Sequence, residues 1–251
     1  MPVNEYKKLI SKQLKELGVA KGDVIFVHSS LSSFGYVPGG ERTIIESLYQ
    51  AVGETGTLLF PSLSYEIVTP ENPYFDVVRT PSNVGKIPEY FRKHIAVKRS
   101  LNPTHSVSGM GKLVKELLSD HSLDETPCGE HSPYRKLPER NGKILFLGCG
   151  IEPNTSMHAI EELVNPPYLF GNFYTYKVID EHRRTHMLKC RRHDFNGWKQ
   201  RYDRIEAILE EKQLHSGKVL KANAHLIEAK PLWDRALNIL KKDPFYFVER
   251  V

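Results

Sequence analysis

The stretch DVIFVHSSLSSFGYVPGGERTIIESLYQAVGETGTLLFPS, residues 23–62, decides the fold. It opens with an apolar run rich in β-branched residues, Val24 to Val27, that ends in polar residues, as a buried strand does. A Gly/Ser/Pro loop, 30–40, follows. Residues 41–53 then carry apolar side chains at helical spacing and close on Gly53. Residues 56–62 form a second apolar run. Strand, helix and strand in this order make a βαβ unit, whose crossover is too long for a hairpin and calls for parallel pairing. The fold class predicted from it is α/β: one domain, 1–251, with a central mixed sheet flanked by helices.

Outward from this unit, residues 1–17 place Tyr6, Leu9, Ile10, Leu14 and Leu17 on one helical face, stopped by Gly18. Residues 84–94 read as a short helix and 96–111 as a strand, a turn and another extended piece. Residues 112–121 read as a helix, and 142–150 as a strand feeding a helix from about residue 154. The segment 172–195 alternates like two strands around a turn at DEHRR. Residues 198–214 and 230–243 are predicted helices with a short apolar piece, 224–229, between them. Residues 63–83 are rich in Pro, Tyr and Asn and lack periodicity, so they are expected to form a substrate-side loop or flap.

Composition narrows the function classes. Hydrophobic residues are 40% and charged residues 26% of the chain, an ordinary globular balance. Mean hydropathy is -0.41, and no apolar run is long enough to span a bilayer, so no membrane association is expected. The polar amphipathic start has no signal-peptide core, and the three cysteines, Cys128, Cys149 and Cys190, form no C-x-x-C pair. Both point to a reducing, cytoplasmic setting with no disulfide framework. The net charge of +5 is mild and its densest parts are interrupted, so a nucleic-acid partner is not expected. The oligomeric state stays open, and a homodimer is compatible with the chain.

Three stretches carry side chains suited to chemistry. In open α/β sheets ligands bind beyond the carboxyl ends of strands. At one such junction, residues 27–40, glycines and a helix N-terminus could hold an anion, or could merely turn the chain. No G-x-G-x-x-G or P-loop pattern is present. At a second, NTSMHAIEEL (154–163), Thr155, His158 and Glu161 recur every three residues and so share one helix face. An imidazole with a carboxylate one turn away is the pattern of a general base and its orienting group. The alternative is a capped helix with solvated acids. The third, NPTHSVSGMG (102–111), offers Thr104, His105, Ser106 and Ser108 as the lining of a slot, or as an ordinary turn and strand.

Taken in order and spacing, residues 27–62, 102–150 and 154–163, with the tail 204–247, resemble the aminoglycoside 3-N-acetyltransferase family over nearly the whole chain. The resemblance implies that family's α/β fold and transfer of an acetyl or longer acyl group from acyl-CoA to the amine of an amino sugar. Acetyl-CoA or another acyl-CoA would be co-substrate, with no metal. Carried over by position, His158 would be the general base, Glu161 its holder, and Thr155 would stand by the thioester carbonyl. His28, Ser29, Ser30, Leu31 and Gly35 would run along the pantetheine arm or phosphates, with Ser106, Val107 and Ser108 on its amides.

Two acceptors remain. Aminoglycosides are polycations and call for acids, yet the later loops are basic at Arg79, Lys98, Arg99, Arg183, Arg184, Arg191 and Arg192. The segment 63–83 adds only Glu66, Glu71 and Asp76. This charge leans slightly towards a nucleotide-linked amino sugar, whose diphosphate suits Arg and Lys. The rival classes are a metal-dependent hydrolase, weakened by the lack of H-x-H or H-E-x-x-H spacing, and a basic nucleic-acid-binding module.

Overall fold

A computed structural model describes residues 2–251. In chain order the elements are α1 (Val3–Glu16), β1 (Val24–Ser29), α2 (Gly40–Val52), β2 (Thr57–Pro61), β3 (Tyr74–Asp76), α3 (Lys86–His94), β4 (Lys98–Arg99) and β5 (Val107–Gly111). Then come α4 (Val114–Leu118), α5 (Pro133–Lys136), β6 (Lys143–Leu147), α6 (Ser156–Val164), β7 (Phe170–Ile179) and β8 (Thr185–His193). The chain closes with β9 (Trp198–Gln200), β10 (Leu214–Val219), β11 (Ala222–Glu228), α7 (Ala229–Leu240) and β12 (Val248–Arg250).

The main sheet has seven strands in the order β10-β11-β6-β1-β2-β5-β4. Its centre, β6-β1-β2, is parallel, and the outer strands pair antiparallel. Period-two alternation sorts the core into two layers. Val24 and Phe26 of β1 and Ile144 and Phe146 of β6 face α4–α7, packing on Leu117, Met157, Ile160 and Leu232. Ile25, Val27, Leu145 and Leu147 face α1–α3, against Leu14, Ile44, Leu48 and Phe91. The predicted βαβ unit, the mixed sheet and the covering helices are all present. All three parallel strands point their carboxyl ends at one edge.

Two further sheets make the single-sheet expectation too simple. β3, β7 and β8 form a three-stranded sheet over a core of Val68, Phe75, Tyr176 and Val178, and β9 pairs with β12. The 172–195 hairpin is as read. Within residues 63–83, β3 pairs in parallel with β7, while Leu63 and Tyr65 border a cavity. The buried Arg99 guanidinium also donates to the carbonyls of Ser62, Val77 and Thr80, tying down both ends of the segment. The predicted helix over 198–214 is instead β9 and two short 3-10 turns, because Arg201 N–H goes to the Phe247 carbonyl and Arg204 to that of Tyr246. The helix over 112–121 is shortened to α4 and a 3-10 turn. The apolar piece 224–229 is the inner strand of the β10–β11 hairpin.

Candidate active site

A cavity of about 490 Å³ opens at the carboxyl ends of the parallel strands. His28 and Ser29 reach it from β1, Pro61 from β2, and Cys149 from the loop after β6. Gly148 joins two of these loops. Its φ is +75°, and a Cβ there would lie 2.4 Å from the Ser33 side chain, whose hydroxyl donates to the Gly148 carbonyl at 2.6 Å. Only glycine allows that approach.

Thr155 is the N-cap of α6 but makes no capping bond. Asn154 Oδ1 accepts from Ser156 N–H instead, at 3.2 Å, and Thr155 lines the cavity. His158 sits one turn in. Its Nδ1 lies 3.2 Å from Glu161 Oε2 and 2.8 Å from the Tyr202 hydroxyl. That hydroxyl donates to Glu161 Oε2 at 2.7 Å, and Tyr168 donates to Oε1 at 2.9 Å. Burial and the Glu161 charge push the Tyr202 phenol well above its ordinary pKa, so it acts as a donor. With its own proton directed to Glu161, Tyr202 offers its lone pair to His158 Nδ1–H. The imidazole is thereby held in one tautomer, and Nε2 keeps a lone pair towards the cavity. Phe195, in the left-handed region at φ +50°, places its ring 5.2 Å from that of His158.

Two more imidazoles complete the floor. His105 Nδ1 is 2.9 Å from the Thr104 hydroxyl, and His193 Nε2 is 2.8 Å from Glu162 Oε1. Burial draws both rings well below the usual histidine pKa, so they are neutral. Burial also raises Glu162 to about 7, although Thr126 and the Cys128 N–H both donate to it. His28, stacked on Phe146 at 5.0 Å, is lowered by burial to about 3. Burial raises the Cys149 thiol to about 11, which leaves it protonated and a poor nucleophile.

Of the residues singled out from sequence, the fold brings His28, Ser29, Thr155 and His158 to the cavity, with Glu161 directly behind. Thr104 and His105 of the third stretch also line it. Ser30 and Leu31 start a 3-10 turn and, with Gly35, lie outside the lining. Ser106, Val107 and Ser108 are fully buried. Ser106 hydroxyl donates to the Ser62 carbonyl at 2.7 Å, Ser108 accepts from Ser62, and Val107 N–H donates to Ser100. Sequence reasoning passed over Tyr168, His193 and Tyr202. Only His193 left a signal, ending the strand alternation of 185–193.

The basic residues are mostly engaged away from the cavity. Arg183 pairs with Asp76 at 2.6 Å, Arg184 with Asp180 at 2.9 Å and Lys98 with Glu181 at 3.0 Å. Arg191 donates to the Gly171 carbonyl. Arg192 alone of these reaches the lining, and it donates to the carbonyls of Val68 and Tyr65. The acids at the lining are Glu152 and Asp194.

A mixed sheet covered on both faces, with a histidine–carboxylate pair at a strand-to-helix junction beside a cavity, defines an α/β protein with a candidate site at the carboxyl ends of its parallel strands. The chain belongs to the aminoglycoside 3-N-acetyltransferase family, whose model matches residues 26–241. It is 37% identical over 175 residues to the SPbeta prophage-derived aminoglycoside N(3')-acetyltransferase-like protein YokD of Bacillus subtilis, covering 62% of this chain. The match spans 64% of that relative, less than two thirds of its length. Among solved structures, aminoglycoside acetyltransferase AAC(3)-IVa, a His-to-Ala mutant in complex with a gentamicin, superposes with a TM-score of 0.81 at 29% identity, covering 96% of this chain and 90% of that one. AAC-IIIb in binary complex with CoASH has a TM-score of 0.81 at 27% identity, covering 94% and 96%. Among the described residues, no helix is long and apolar enough to cross a membrane.

Proposed function

We propose that this protein is an acyl-CoA-dependent N-acyltransferase that acetylates an amine of an amino sugar by direct transfer, with His158 as general base. The observation that carries the reading is the asymmetry of the His158 ring: Nδ1 is held by Glu161 and Tyr202, while Nε2 faces the cavity. The amine nitrogen attacks the thioester carbonyl and its proton passes to Nε2. The C–S bond breaks, and the sulfur of CoA leaves with the electron pair and is reprotonated from the imidazolium. Glu161 stabilises that imidazolium. A thiol of pKa near 8.5 is a good leaving group, so the barrier lies in the amine, where one placed base is worth about 10²- to 10⁴-fold. The Thr155 hydroxyl would donate to the developing oxyanion. His28 and Ser29 would border the thioester end of the arm, with Ser30, Leu31 and Gly35 further along it. A protonated Cys149 supports direct transfer over an acyl-enzyme route.

For the acceptor, a polyamine of the aminoglycoside class is favoured over a nucleotide-linked sugar. The cleft offers Glu152 and Asp194 to ammonium groups, and most of the basic residues suited to a diphosphate are paired elsewhere. Family relatives in complex with a gentamicin and with CoASH support the same pairing of substrates. Thiol release from acetyl-CoA and longer acyl-CoAs, measured against aminoglycosides and nucleotide amino sugars, tests it. Release with an aminoglycoside and acetyl-CoA is expected; release only with nucleotide sugars would overturn the acceptor class.

A further inference from the structure

Three imidazoles from distant parts of the chain meet on the cavity floor. His105 precedes β5, His158 lies on α6 and His193 ends β8. Their ring centroids are 4.7 Å (His158 to His193), 5.0 Å (His105 to His193) and 6.0 Å (His105 to His158) apart. One nitrogen from each ring falls within 4.8 Å of those of the other two.

One nitrogen of each ring is already hydrogen-bonded to a neighbouring side chain, which leaves the other as the candidate ligand atom. His105 Nδ1 meets the Thr104 hydroxyl at 2.9 Å and is taken as the donor there. His158 Nδ1 is the donor to Tyr202 and Glu161, and His193 Nε2 to the Glu162 carboxyl. Each ring therefore carries its proton outward and a lone pair inward. His193 shows the consequence most sharply. Its side chain is only 6% exposed, and Nδ1 is buried with no hydrogen-bond partner among the described residues. Three converging lone pairs repel one another unless a cation lies between them. Rings whose outer N–H is fixed by a carboxylate or hydroxyl have the outer-shell arrangement of metal-ligating histidines.

We propose that His105, His158 and His193 form a binding site for one divalent transition-metal ion of the zinc class, and that its occupation reversibly silences the enzyme by taking the Nε2 lone pair of His158. The inhibitory half rests on the reading of His158 as general base. Three neutral imidazoles suit zinc, copper, nickel or cobalt rather than magnesium or calcium, which need oxygen ligands. Zinc–nitrogen bonds are about 2.0–2.1 Å, so the rings must swing inwards to close on the ion, leaving a fourth position for water or an amine. Glu161 and Glu162 stay behind the rings as anchors. The site is a poison or a brake, not a cofactor site.

The test uses cobalt(II) as a visible probe on the whole, metal-free chain. One Co²⁺ per chain is expected to give the intense ligand-field absorption of a low-coordinate nitrogen site, displaced by Zn²⁺ and abolished in both His193→Ala and His105→Asn. Acetyl-CoA binding by each variant shows that it is folded. Glu162→Gln is expected to weaken metal binding by about 10- to 100-fold. Thiol release by the unaltered protein should fall in step with Co²⁺ occupancy and return with a chelator. No such absorption, or absorption unchanged in both histidine variants, would overturn the site. Full turnover at full occupancy would overturn the inhibition. A cluster-dependent band in a protein that transfers no acyl group would uphold the metal site and refute the acyltransferase reading instead.

Discussion

His121 and His193 are both buried imidazoles, yet the two regions treat them in opposite ways. His121 stands under α4 with both nitrogens satisfied: Nε2–H donates to the Pro127 carbonyl at 3.0 Å, and Nδ1 accepts from the Ser100 hydroxyl at 2.8 Å. At the cavity, His105, His158 and His193 each have one nitrogen held and one directed at its neighbours or the cleft. Burial alone does not separate a structural histidine from a chemical one. What separates them is whether the second nitrogen has a partner inside the fold. An unpartnered buried polar atom costs stability, and a fold keeps one where a ligand or a reaction uses it.

This contrast can be broken from either side. After loss of His158 itself, the largest effect is expected at its carboxylate: Glu161→Leu should lower kcat by about 10²-fold, because Nδ1 loses its carboxylate and the proposed imidazolium its counter-charge. KM for acetyl-CoA should barely move. Steady-state kinetics check this, and an unchanged kcat would mean that Glu161 only packs. The opposite outcome is expected at His121. His121→Leu strands the Ser100 hydroxyl and the Pro127 carbonyl and should cost about 1–3 kcal/mol, read by urea unfolding. Turnover per folded molecule should be unchanged.

A smaller effect follows with pH. Burial lowers His121 to about 3, with the Lys136 charge adding to it, against its ordinary 6.5. Between those values the unfolded chain takes up a proton that the folded one refuses, so stability falls as pH drops below 6.5. In His121→Leu this slope should be shallower by up to one proton, about 1.4 kcal/mol per pH unit. Unfolding midpoints at pH 7 and pH 5 compare the two, and identical slopes would contradict the assignment. The smallest effect belongs to Arg99→Met. Without its bonds to Ser62, Val77 and Thr80, residues 63–83 should become a site of limited proteolysis, with a modest rise in KM for the amine. Equal protease resistance would show that the β3–β7 pairing suffices.

Much of the fold was legible because it is written locally. The apolar β-branched run of Val24 to Val27, the helical spacing to Gly53 and the run at Leu58–Phe60 each imply their element, and their order implies a parallel pair. The turn at 180–184 was equally plain. The segment 198–214 was not, since Tyr202, Ile205 and Ile208 match a helical face as well as they match two 3-10 turns. The choice is made by β12 and the carbonyls at 246–248, which lie far along the chain. Leu214–Val219 hid its strand because most of its side chains are exposed and polar.

The site divides in the same way. Thr155, His158 and Glu161 share one helix face and could be read together. Tyr202 and His193 reach them only through tertiary packing. Ser106 and Ser108 misled for the opposite reason: small hydroxyl residues line slots, but these two meet Ser62 inside the core. His105, His158 and His193 come from separate parts of the chain, so no local spacing could announce that the three rings meet.

In the proposed mechanism the proton given up by a sugar amine goes to Nε2 of His158, and the rest of that mechanism depends on this step. Thiol release from acetyl-CoA with a gentamicin as acceptor, compared between the unaltered protein and His158→Ala, tests it most directly. A fall of about 10²- to 10⁴-fold in kcat is expected, with acetyl-CoA affinity unchanged. Turnover by His158→Ala at the rate of the unaltered protein would contradict it.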